Sequence, residues 1–167
     1  MLAVATAVLL LAAPPENDRF ERTSLQEGQR RALAAYNAGL ESLNGYYHWA
    51  THSVSLDRYI AQQKALQIGK DLEAARNSFT DMAGMLDPTA RARVAGEVTT
   101  INDGLAKADG QLSKLRTESG AAAPNRTEAR FLLAEMYRSL STVQEAQLAI
   151  GQKLGITSAE RTRERAR

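Results

Sequence analysis

Between residues 36 and 154, apolar side chains recur at alternating intervals of four and three. That spacing lays them along one stripe of an α-helix packed on other helices. Four stripes follow one another. The first is Tyr36, Leu40, Leu43, Tyr47, Ala50 and Val54, and the second Ala61, Ala65, Ile68, Leu72, Ala75, Phe79, Met82 and Leu86. The third, Val94, Val98, Ile101, Leu105, Ala108, Leu112 and Leu115, keeps one heptad register throughout. The fourth is Ala129, Leu133, Met136, Leu140, Val143, Gln147, Ile150 and Leu154, with Gln147 its one polar member. Each stripe predicts a helix of about 30 residues, roughly 45 Å long.

The punctuation agrees with four segments. Asp87-Pro88 puts an N-cap acceptor before a proline suited to the first helical position, ending the second helix at Leu86 and opening the third. Asn125 with Glu128 has capping-box spacing and follows the breaker stretch ESGAAAP at 118–124, and Gly155 stops the fourth helix. For the first start, Ser24 with Glu27 competes with an earlier cap at Asn17 or Asp18. Between the first two helices only THSVS at 51–55 weakens the pattern, with Ser55 as N-cap and Asp57 in the first turn. Asn44-Gly45 is a rival break.

Four segments of similar length predict an all-α, up-down-up-down four-helix bundle. The alternative is a three-helix assembly in which one long helix spans about 20–86 and exposes a seam that a partner must cover.

Composition supports helix over sheet: 29 Ala and 20 Leu stand against 6 Val and 5 Ile. With no Cys, disulfides, thiolate metal sites and cysteine nucleophiles are excluded. The chain divides into an apolar signal-like segment at 1–15, a helical body at 16–155 and a basic tail at 156–167. Met1–Ala13 carries no charge and would span only about 20 Å as a helix, against roughly 30 Å of bilayer hydrocarbon. This is the length of a signal-peptide core, so the expectation is export to a periplasmic or extracellular space, or membrane association if the segment stays uncleaved. Its departures are the lack of a basic residue before the apolar run and Pro14 after the small-residue cleavage position. The net charge of +2 resides entirely in the tail, where four Arg face two Glu. That balance predicts no specific nucleic-acid partner and at most weak contact of the tail with an anionic surface.

Chemistry-bearing residues gather in one stretch. Five of the aromatics, Tyr36, Tyr46, Tyr47, Trp49 and Tyr59, fall between 36 and 59, and both His lie among them in YYHWATH. Adjacent helical residues point about 100° apart, so Tyr46, Tyr47 and Trp49 cannot all face a core. They either plug one end of the bundle or offer, with Tyr59, a binding surface. His48 and His52 share a helix face at a spacing that can chelate one ion. Asp57, Glu118 and Glu128, brought to the same pole, would complete a His/carboxylate set for zinc, copper or nickel. The bland reading leaves both His in solvent. The Glu-x-x-His and His-Glu-x-x-His signatures, nucleophile elbows and phosphate loops are all missing.

The expectation is therefore a non-enzymatic exported binding or interaction protein without a cofactor, with its active pole at residues 46–59 and a protein partner or self-association. A metal-handling bundle built on His48 and His52 is the alternative. A structural subunit of a larger assembly is the second.

Overall fold

The computed structural model describes residues 16–156, with side chains from Thr23 onward. The apolar segment 1–15 and the Arg tail 157–167 lie outside the described residues. These residues form five helices and no strand: α1 Glu16–His52, α2 Arg58–Gly84, α3 Pro88–Arg93, α4 Ala95–Gly120 and α5 Arg126–Leu154. No helix among them is long and apolar enough to cross a membrane.

The boundaries follow the capping chemistry. The Asp87 carboxylate accepts from the Ala90 N–H at 2.8 Å with Pro88 in the first turn, and the Asn125 side chain accepts from Thr127 and Glu128. Gly155 ends α5 in the left-handed conformation, φ 65°, which glycine adopts without a Cβ penalty. α1 and α2 are separate, joined by residues 53–57, so no helix runs from 20 to 86. The cap of α2 is Asp57, whose carboxylate accepts from the Ile60 N–H at 2.9 Å, and not Ser55. Leu56 explains the shift: its side chain, between the two candidates, is buried against the core, and the backbone is extended at Asp57 (φ −67°, ψ 123°). Ser24 lies inside α1 and opens no helix.

Two details depart from the pattern. α2 gives way at Gly84, two residues before Leu86. The third segment is bent, because Val94 (φ −114°, ψ 15°) leaves helical geometry between α3 and α4 while its side chain remains buried.

The long helices pack in the order α1, α2, α4, α5 and back to α1. Cross-helix pairs run in opposite numerical order, so neighbours are antiparallel. Gln29 meets Gln147 and Arg126 meets Ser53 across α1 and α5; Ser42 meets Asp71 across α1 and α2. Arg76 meets Asp109 across α2 and α4, and Glu97 meets Lys153 across α4 and α5. The second, third and fourth stripes supply the buried core almost unchanged. The first needs correction: Tyr46 takes the core position expected of Tyr47, and Val54 is 99% exposed in the loop. Spacings 43–46–50 and 43–47–50 are equally helical, and only the neighbours decide between them. Ile156 is also buried, so the core reaches one residue past the expected end at 155.

Candidate functional site

The end of α1, the start of α2, the end of α4 and the start of α5 meet at one pole, where all the expected site residues lie. Tyr46 belongs to its interior. Its ring is fully buried and its hydroxyl shares a 2.9 Å hydrogen bond with the Ser119 hydroxyl of α4. Burial raises the Tyr46 phenol pKa, the Ser119 bond opposing that rise in part. Tyr46 is therefore removed from the binding surface, because a ring closed in by core side chains has no face left for a partner.

The other three aromatics are graded in exposure. Trp49 is half-buried, tilted on Tyr46 with ring centroids 5.6 Å apart, and the Lys64 ammonium lies 5.8 Å from its centroid. Tyr47 is half-buried under the Arg130 guanidinium, 5.4 Å from the ring centroid. Both contacts are cation–π arrangements linking α1 to a neighbouring helix. Tyr59 stands out at 69% exposure.

The two His are on the outer face. Their rings stack at 4.2 Å, and the His52 Nδ1 lies 2.9 Å from the His48 carbonyl oxygen. A carbonyl only accepts, so Nδ1 holds the proton and Nε2 is the nitrogen left for any ligand. The expected carboxylates are not brought to them. Asp57 caps α2, Glu118 accepts from the Asn125 backbone N–H, and Glu128 sits exposed in the first turn of α5. Among the described residues no three His, Asp or Glu are placed to hold one metal ion. The five-residue ligand set is thus corrected to a pair of imidazoles. Asp57 and Glu118 fell out because helix ends need acceptors for their free N–H groups, and acceptors near a pole are used first for that.

Besides Tyr59, already expected at the surface, and Val54, expected in the core, side chains that sequence reasoning did not single out make up the rest of the pole. Val54, Tyr59, Ile60, Leu66, Phe131 and Tyr137 are large, apolar or aromatic, and exposed; at the opposite end of the molecule Met85 is the one comparable case among the described residues. Phe131 carried a readable signal: in Phe131-Leu132-Leu133 the last two are buried, and three consecutive apolar residues cannot all face inward.

Two grooves open beside these residues. One, of about 270 Å³ between α1 and α5, is lined by Leu43, Asn44, Tyr47, Leu133, Ala134, Tyr137 and Arg138. The other, of about 380 Å³ between α2 and α4, involves Tyr59, Gln62, Leu66 and Arg116.

Comparison of the chain with protein-family models, curated proteins and solved structures finds no match.

Proposed function

We propose that this chain is an exported, non-enzymatic interaction protein: an up-down-up-down four-helix bundle, with α3 and α4 as one bent third leg, that docks a protein partner at the pole described above. The observation that carries this reading is the one-sided display of large apolar side chains. Six of the seven exposed large hydrophobics among the described residues lie in the polar half formed by the end of α1, the start of α2 and the start of α5. Single exposed apolar residues are ordinary; a cluster of aromatic and branched side chains at one end is the usual form of a partner surface. The flanking guanidinium and ammonium groups over Tyr47 and Trp49 match the Arg- and aromatic-rich makeup of binding hot spots. Export rests on the composition of residues 1–13.

Site-specific photocrosslinking in the native cells tests the docking pole. A photoreactive residue at Tyr59 or Phe131 should give a discrete protein adduct, and the same residue at Met85 or Arg31 should not. Equal labelling at both ends, or none at Tyr59 and Phe131, refutes it.

A further inference from the structure

The groove between α1 and α5 has a chemistry of its own. Leu43, Leu133 and Ala134 give it an apolar lining, and the rings of Tyr47 and Tyr137 stand at its sides. Its depth comes from Ala134, the smallest side chain on that face of α5. At about 270 Å³ it falls just short of the roughly 300 Å³ at which pockets for whole drug-sized ligands begin. A space of that size, open along its length, suits one large side chain from a partner segment.

Arginines prevail along its α5 side. Arg126, Arg130, Ala134 and Arg138 follow one another at intervals of four, forming one ridge of α5 with the groove at its alanine gap. The two acidic residues of this stretch, Glu128 and Glu135, lie off that ridge by the helical period. Arg138 is paired with Glu135. Arg126 and Arg130 have no carboxylate partner among the described residues: Arg126 donates to the Ser53 carbonyl at 2.7 Å, and Arg130 reaches the Tyr47 hydroxyl at 3.4 Å. The Arg130 Nε is buried without any acceptor. A guanidinium laid on an aromatic ring near an apolar groove, with no carboxylate of its own chain paired to it, suits pairing of its terminal N–H groups with a partner's carboxylate.

We infer that the α1–α5 groove takes one aromatic or other large apolar side chain of an acidic partner segment, whose carboxylates pair with Arg130 and Arg126. The inference rests on the docking-pole reading and names the chemistry of the partner there. Helical presentation suits it, because acidic groups four residues apart match the spacing of the two arginines.

The test is a titration of the isotope-labelled full chain with three blocked synthetic peptides, followed by amide chemical shifts. One carries a central Trp flanked by Glu, the second has Lys in place of each Glu, and the third has Ala in place of the Trp. Saturable shifts confined to residues 43–47 and 126–138 are expected with the first peptide, and binding at least about tenfold weaker with the other two. Arg130→Gln should weaken the first peptide about tenfold, whereas Arg76→Gln, remote from the groove, leaves it unchanged. Ala134→Leu fills the groove and should abolish binding; Tyr137→Ser removes a wall and serves if Ala134→Leu disturbs folding, which circular dichroism monitors. The inference is overturned by the absence of saturable shifts at millimolar peptide, by equal binding of the Lys peptide, or by shifts centred on the α2–α4 groove. Crosslinking at Tyr59 and Phe131 together with a failed titration would discard the groove chemistry and keep the docking pole; failure of both discards the pole.

Discussion

The two ends of this molecule set opposite kinds of side chain at their surface and in their interior. At the pole of Tyr46, six large apolar side chains stand exposed and the interior polar contact is small, one hydroxyl against another. At the far end the outer face carries ion pairs and the polar groups turn inward. Gln29 donates from Nε2 to the Gln147 carbonyl at 2.7 Å, and Gln147 donates from its own Nε2 to Gln29 Oε1 and to Met82 Sδ at 2.9 Å. Gly28 and Gly151 permit this, since a Cβ at either would press on Met82 or Gln29. Lys153 closes the surface there, binding Glu97 at 2.7 Å while Arg93 donates to the Lys153 carbonyl at 2.9 Å. Helix register is thus specified at the far end. A buried amide pair in an apolar seam disfavours slippage of one helix along another, and leaves the opposite end free to display apolar surface.

The sharpest way to break this contrast lies within the pole itself. Tyr46→Ala, which empties a core position and strands the Ser119 hydroxyl, should lower unfolding free energy by about 3–5 kcal/mol in urea titration. Tyr59→Ala, across the loop at the start of α2, should change it by no more than about 0.5 kcal/mol. Equal losses would mean that Tyr59 is a packing residue and the display is not a surface at all.

At the far end, Gln147→Ala leaves the Gln29 carbonyl oxygen buried without a donor and should cost about 1–3 kcal/mol. Replacing both amides, Gln29→Leu with Gln147→Leu, should recover most of that loss. A double variant no more stable than the single one would show that the amides contribute packing alone.

A smaller effect concerns the phenols. The Tyr36 hydroxyl is buried with no partner, and burial pushes its pKa well above the ordinary range, as it does more mildly for Tyr46. Both groups favour the neutral form in the folded chain, so their contribution is complete below the unfolded-state value near 10 and is lost as pH rises through the higher folded values. Urea midpoints should therefore fall above pH 10. Tyr36→Phe should flatten that fall and, by removing an orphaned hydroxyl, add about 1 kcal/mol near neutrality. A steeper alkaline loss in this variant would contradict the assignment.

Smallest is Lys153→Met. The Lys153 hydrogen bond lowers the Glu97 pKa below its ordinary 4.5. That pairing stabilises the fold above the ordinary value and ceases to do so as pH falls through the lowered one. The variant should return the Glu97 carboxyl toward 4.5 in a carbon-detected titration, and its difference from the parent should vanish in acid.

Much of the fold was legible because local chemistry and pattern agreed. Asp87-Pro88, Asn125 and Gly155 mark real ends, and three stripes became core with few exceptions. What escaped depends on neighbours in space. The choice of Tyr46 over Tyr47 is made by Ser119 on α4, and the bend at Val94 has no Gly or Pro at the bend itself. The cap of α2 was set by burial of Leu56 rather than by the ranking of Ser against Asp. Of the pole proposed for docking, the sequence pattern marked only the YYHWATH side; Phe131, Tyr137, Arg126 and Arg130 lie some 80 residues further on, invisible until α5 folds back beside α1.

Finally, α1 has 37 residues against 29 in α5 and 27 in α2. Gln29 lies level with Gln147, only two turns before α5 ends, and Gly28 lies beside Met82 near the end of α2. The turns from Glu16 to about Glu21 thus continue past the ends of both neighbours. A helical stub of that length is marginal when it must stand by itself, so its hydrogen bonds persist chiefly by extension of the packed turns behind it. Amide exchange along α1 should consequently form a gradient, fastest near Glu16 and slowest around Leu43, with fraying advancing from one end like a zip.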